Sequence, residues 1–180
     1  MNNFKNKEAG FTLIELLVVA TITGVISTFM LLNFPRNRVD LNASSSVLIA
    51  DLRATQSKAL ASTTYNSGSG AKIRCGYGVH YVGLTSYSVY AGPDASSSNC
   101  KSLNRNLDGA DTTVVTKNFE DAKVEFKASF SDIFWEPPYP YTYLNNSSAS
   151  ASITITIGKK GGTCPADCKT INVSTSGKIE

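Results

Sequence analysis

The sequence predicts an α+β protein in which a long N-terminal transmembrane helix precedes an antiparallel β-rich head domain. Three observations carry this. Residues 11–34 form one apolar run with a single charge, Glu15. Apolar residues then recur at helical spacing between Leu41 and Leu60. From Ala71 onward the chain breaks into short β-branched and aromatic segments separated by Gly, Pro, Ser or Asn. These shifts divide the chain into a polar leader (1–10), a membrane-length helix (11–34), an amphipathic helical continuation (35–62) and a β-rich globular head (63–180).

The first element is fixed by length. As a helix, residues 11–34 reach about 36 Å at 1.5 Å per residue, enough to cross a hydrocarbon core of roughly 30 Å. Ahead of them, Lys5, Lys7 and Glu8 give the leader the charged character of a signal-peptide start. The run is too long for a simple signal core, and its far end holds Asn33, Phe34, Pro35 and Arg36 rather than a small-x-small cleavage site. Gly10 is the better cut site, and cleavage there makes Phe11 a new amino terminus about one helical turn before Glu15. A carboxylate at mid-bilayer costs roughly 2.5 to 3.5 kcal/mol on insertion scales, so Glu15 calls for a partner. The plainer reading is a signal anchor whose glutamate stays hydrated at the interface.

Gly10, Phe11, Thr12, Leu13, Ile14, Glu15 and Leu16 resemble, residue by residue, the prepilin peptidase motif of the type IV pilin and type II secretion pseudopilin family. Gly24 also falls where such helices often carry glycine. The resemblance implies cleavage after Gly10, N-methylation of Phe11, and pairing of Glu15 with the terminal amine of a neighbouring subunit. Two opposite charges about 4 Å apart attract by roughly 4 kcal/mol at an effective dielectric near 20, comparable with the insertion cost. The implied partners are other pilin or pseudopilin subunits, the prepilin peptidase, an inner-membrane assembly platform and membrane lipid. One departure stands out: many members carry proline where this chain has Leu32, and here Pro35 comes three residues later, which displaces any kink.

The formal charge is +3, of which the leader holds +1, too mild a balance to imply nucleic acid. Lys5 and Lys7 on one side of the run are matched by Arg36 and Arg38 on the other, so charge alone fixes no orientation. The cysteines speak more clearly. Cys75, Cys100, Cys164 and Cys168 all fall in the head, which points to two disulfides and an oxidising compartment. The expected arrangement is a single-pass protein of the cytoplasmic membrane with its head on the periplasmic or extracellular side, entering a filament after assembly. Four cysteines allow three pairings. Cys75 with Cys100 and Cys164 with Cys168 is favoured because each pair encloses a short, turn-rich segment. A four-cysteine zinc site is the weaker alternative, since Cys75 and Cys100 lack close cysteine neighbours.

In the second helical stretch Leu41, Leu48, Leu52, Thr55, Ala59 and Leu60 share helical spacing, with Asp51, Arg53 and Lys58 on other faces. Asn42 or one of Ser44, Ser45 and Ser46 is placed to cap it. Whether the two helices are continuous through Pro35 stays open. Strands are expected over residues 72–75, 77–82, 86–90, 112–116, 122–127, 133–136, 152–157 and 170–174. Ile153, Ile155 and Ile157 alternate with threonines, and Val124, Phe126 and Ala128 with Glu125 and Lys127, so each segment offers one apolar face. The serine-rich stretches 62–70, 93–100 and 145–150 read as exposed loops.

The order of these pieces, a helix with Asp51, Leu52, Arg53, Ala54 and Ser57 and then a β-rich head ending in Gly177, Lys178 and Ile179, is similar to minor pseudopilins of the GspH and FimT type. That resemblance implies a structural filament subunit; the residues themselves lead to an expectation of no catalytic residue, cofactor or metal.

Other candidates compete with plainer readings. Residues 134–143 hold five aromatics and three prolines, suited to a contact surface or, more simply, to covering a sheet edge. Lys159 and Lys160 precede Gly161 and Gly162 in an expected hairpin tip. They are the candidate DNA contacts of the alternative reading, a DNA-binding minor pilin of an uptake apparatus, against a plain solvated turn; nonspecific DNA binding calls for a larger basic face. Asp108 and Asp111 read as a turn ahead of a calcium loop. His80, the one histidine, sits among strand residues with no recognisable nucleophile constellation. No enzyme site and no cofactor site emerges.

Overall fold

The structure is a computed structural model that describes residues 12–32, 36–66, 68, 70–137, 141–149 and 152–180. The chain divides into two compact units between Arg36 and Asn37. Gly10, Phe11 and Pro35 lie outside the described residues, as do Pro138, Tyr139 and Pro140 of the aromatic segment.

In the first unit, α1 spans Leu13–Leu32. A helix built from such apolar residues must satisfy its own polar groups, and its threonines do so internally. Thr21, Thr23 and Thr28 donate their hydroxyls to the carbonyls of Val18, Val19 and Gly24 at 2.8, 2.9 and 2.8 Å. Among the described residues, the large apolar side chains of the run from Leu13 to Met30 are exposed. Residues Leu13–Met30 meet the length and composition needed to cross a membrane.

Helix α2 spans Arg36–Leu60, all but its first residue in the second unit. Leu41, Leu48, Leu52, Thr55 and Ala59 form its buried stripe. The expected caps at Asn42 and Ser44–Ser46 are corrected: the helix starts earlier, and Ser44 and Ser45 are buried within it. Burial overrides their local preference for a helix start. The helix ends where Ser62 takes φ 47° and the Thr63 amide reaches back to the Lys58 carbonyl at 3.2 Å, a Schellman-type stop.

Ten strands follow: β1 (Thr64–Asn66), β2 (Ala71–Ile73), β3 (Tyr77–Gly83), β4 (Ser86–Ala91), β5 (Thr112–Asn118), β6 (Val124–Phe126), β7 (Ile133–Glu136), β8 (Tyr141–Leu144), β9 (Ser152–Lys159) and β10 (Cys168–Ser174). All pairings are antiparallel. They make a five-stranded sheet ordered β5-β4-β3-β7-β8, a three-stranded sheet ordered β10-β9-β6, and the small β1-β2 pair. One expected loop is therefore corrected, since residues 62–70 contain β1, and the aromatic and proline-rich segment contains a strand, β8, that is not among those expected.

One apolar core joins the α2 stripe to the inner faces of both larger sheets. It includes Val79, Tyr87, Val89, Ile133 and Trp135 from one sheet and Phe126, Ile155, Ile157, Ile171 and Val173 from the other. The five-stranded sheet is also covered on its outer face. There Tyr90 and Phe134 stack at 5.9 Å, and a Cβ at Gly78 would stand 2.3 Å from the Tyr90 ring, so only glycine admits it. The cover is the long connection from residue 92 to 111, anchored by the Cys75–Cys100 bond.

Candidate functional site

The site begins at the first turn of α1. Thr12 accepts from the Glu15 amide through both its hydroxyl, at 3.3 Å, and its carbonyl, at 3.1 Å, and its carbonyl also accepts from the Leu16 amide at 3.2 Å. Thr12 is thus the N-cap and Glu15 the third helical residue, the threonine-x-x-glutamate spacing of a capping box. A carboxylate in the first turn also faces the positive end of the helix dipole, worth about 0.3 to 1 kcal/mol. At mid-bilayer a carboxylate costs more than this, roughly 2.5 to 3.5 kcal/mol.

The rest of the run is exposed among the described residues. Ile14 is 72% exposed and Phe29 63%. No atom would meet a Cβ placed on Gly24, so packing within the described residues does not demand a glycine there.

The candidate head residues have more local duties. Cys75 bonds Cys100 and Cys164 bonds Cys168, which leaves no free thiol for a four-cysteine zinc site. Lys159 ends β9 and pairs through Nζ with Asp167 at 2.9 Å, while its carbonyl accepts from the Lys127 ammonium at 2.6 Å. The Lys160 amide bonds the Lys123 carbonyl, and Gly161 turns the chain at φ 74°. Lys127 in turn pairs with Glu125 at 2.9 Å and holds that carboxyl below its ordinary range. Cations and carboxylates interleave at this tip, so it is no continuous basic face.

Asp108 and Asp111 close a turn: the Asp108 amide donates to Asp111 Oδ2 at 2.9 Å and the Ala110 amide to Asp108 Oδ1 at 2.8 Å. Burial pushes the Asp111 carboxyl up to about 6, opposed by the Asp108 amide and reinforced by the Asp108 and Asp132 charges. His80 Nδ1 lies 2.6 Å from Asp132 Oδ1, whose other oxygen accepts from the Leu107 amide at 2.6 Å. The histidine thus helps tie the 92–111 connection to β3.

Two hubs escaped the sequence. Arg105 pairs with Glu136 at 2.9 Å, lies 3.9 Å over the Tyr143 ring and, through its carbonyl, accepts from the Tyr90 hydroxyl at 2.7 Å. Asp51, read only as polar-face, accepts from the Tyr87 hydroxyl at 2.5 Å and pairs with Lys117 at 2.6 Å, joining α2 to the sheet. Burial, then the Asp51 contact, pushes the Tyr87 phenol up. Their partners lie tens of residues away, so no local spacing announces either.

Residues 5–31 match the family model of the prokaryotic N-terminal methylation motif. This stretch contains Gly10, Phe11 and Glu15 together. No curated protein matches the chain. Among solved structures, the type IV minor pilin FimU of Pseudomonas aeruginosa is similar at 16% identity, over 79% of this chain and 88% of that one, with a TM-score of 0.46.

Proposed function

We propose, from the prokaryotic N-terminal methylation motif over residues 5–31, that the chain is a minor pilin or pseudopilin, a structural subunit of a type II secretion or type IV pilus filament. The observation that carries it is the methylation motif laid over a fully exposed, membrane-length helix whose one charge, Glu15, stands in the first turn. In this reading a prepilin peptidase cuts after Gly10 and Phe11 is N-methylated. The subunit waits in the cytoplasmic membrane as a single-pass protein, its head on the periplasmic or extracellular side, where both disulfides form. An inner-membrane platform then extracts it. Glu15 meets the terminal amine of a neighbour, and the exposed face of α1 packs on other subunit helices in place of lipid.

The DNA-uptake alternative draws little support from the head. Lys159 is engaged with Asp167, and the neighbouring cations alternate with acids.

Intact mass and terminal sequencing of the membrane-extracted protein test the proposal. The expected mature chain begins at methylated Phe11; a chain retaining residues 1–10 in a peptidase-competent host overturns the processing claim. Glu15→Ala is expected to insert normally and fail to enter filaments, and normal incorporation would sink the charge-pairing mechanism.

A further inference from the structure

Exposed sheet edges carry unpaired amides and carbonyls that accept another strand unless something closes them. Four edges bound the two larger sheets, and three are closed. On β10, the Asn172 amide bonds the Glu180 carbonyl at 2.6 Å, the Glu180 amide returns to Asn172 at 3.0 Å, and the Ser174 amide bonds Lys178, so the chain end lies along the strand. On β6, the Phe126 amide donates to the Leu84 carbonyl of the β3–β4 turn at 2.7 Å. The edge strand β8 has four residues, follows prolines at 137, 138 and 140, and folds Leu144 back onto Ser147 by two hydrogen bonds.

The fourth edge, β5, is different. Its seven residues, Thr-Thr-Val-Val-Thr-Lys-Asn, contain no proline. A bulge at its start gives way to regular pairing of Val115, Thr116, Lys117 and Asn118 with β4. The Phe119 amide bonds the Thr85 carbonyl at 3.0 Å, which fixes the phase of the antiparallel ladder: Thr116 and Asn118 turn their backbone groups outward. Among the described residues no hydrogen bond from the chain reaches these outward groups. Lysine is a usual guard of such edges, yet here Asp51 draws Lys117 onto α2. Beside the edge lies a groove of about 500 Å³ whose lining includes Val47, Lys117 and Phe119. Val47 is 46% exposed and Val115, on the same side of the sheet as buried Val89, 38%.

We propose that the outer edge of β5 takes an extended segment of a different protein chain as an added strand, its alternate side chains apolar and seated toward Val47 and Val115. Strand addition supplies main-chain hydrogen bonds for affinity and side-chain alternation for selectivity. An added strand sits about 4.8 Å beyond β5, within reach of the groove. A second copy of this chain fits poorly. A second β5 would set Lys117, which its own Asp51 already holds, beside Val115 on the groove side, so its inward side chains are not uniformly apolar. The proposal rests on the head alone and stands apart from the filament reading.

The test uses the full chain in detergent micelles and a fluorescein-labelled probe peptide, Lys-Val-Thr-Val-Thr-Val-Lys, followed by fluorescence anisotropy. Saturable binding is expected. Thr116→Pro removes an outward N–H and leaves the β4 ladder intact, so it should weaken binding about tenfold or more, as should backbone N-methylation of the peptide at one set of alternate residues and not the other. Near-UV circular dichroism of the variant confirms that it folds. Absence of saturable binding, or binding indifferent to both changes, overturns the proposal. A dimer of the unliganded chain that Thr116→Pro dissolves also overturns it, by assigning the edge to a second copy.

Discussion

In α1, Ile14, Leu17 and Phe29 are more than half exposed, whereas in the head Leu52, Val79 and Trp135 are fully covered. The residue types are alike; the place where they find partners is not. The head satisfies itself on both faces of its larger sheet, with α2 inside and the disulfide-anchored connection outside. Helix α1 bonds its threonine hydroxyls to its own carbonyls and leaves its apolar surface exposed among the described residues. The contrast separates a region whose stability the chain carries from one that, under the proposed function, draws it from lipid or assembly.

The deepest covered residue should break most when removed. Trp135→Ala empties a site with no exposure, at an expected cost of about 3 to 5 kcal/mol. Denaturant unfolding of the full chain in micelles, followed by near-UV circular dichroism, measures it. A cost below about 1 kcal/mol would mean the head core is not closed by this ring.

The outer cover should come next. Arg105→Ala leaves Glu136, 13% exposed, without its cation and strips the face of Tyr143, for an expected loss of about 3 kcal/mol. Hydrogen exchange should show the loss centred on residues 92–111. Uniform loss across the sheet would contradict the view of that connection as a separate outer layer.

Much of this division was legible in the sequence and some was not. The alternation of Ile153, Ile155 and Ile157 with threonines, and the spacing of Leu41, Leu48 and Leu52, fixed which faces are buried, because period alone decides which side chains share a face. Strand β8 was hidden by its prolines, whose local preference argues against a strand, while long-range pairing with β7 overrides it. The start of α2 was misplaced because Ser44 and Ser45 look like caps but serve as small buried residues. At the amino terminus the motif residues were all readable, and Thr12 as N-cap follows from its spacing to Glu15. Arg105 and Asp51 were not, since a hub acquires its role from where the fold carries its partners.

A smaller effect concerns pH. The folded-state value of Asp111, raised to about 6 mainly by burial, means that the folded head holds a proton there more tightly than the unfolded chain does. Its contribution is present below the ordinary carboxylate range near pH 4 and is lost as pH rises through about 6. Asp94, held down to about 2 chiefly by its Lys72 contact, has the opposite sign, with its window below pH 4. Between pH 4 and 7 wild type should therefore lose stability relative to Asp111→Asn. Parallel stability curves for the two proteins over that window would refute the burial argument.

The smallest expected effect is the sharpest for the comparison. Leu17→Ala removes a large side chain from a position 57% exposed, one that the same substitution at Leu52 would make costly. Because Leu17 belongs to the first compact unit and is exposed among the described residues, head unfolding should shift by no more than about 0.5 kcal/mol. The same variant should lower incorporation into filaments if α1 packs on neighbouring helices, since the lost contacts then belong to the assembly. A shift of 2 kcal/mol or more in head stability would join the two regions into one cooperative unit and remove the distinction on which the other outcomes depend.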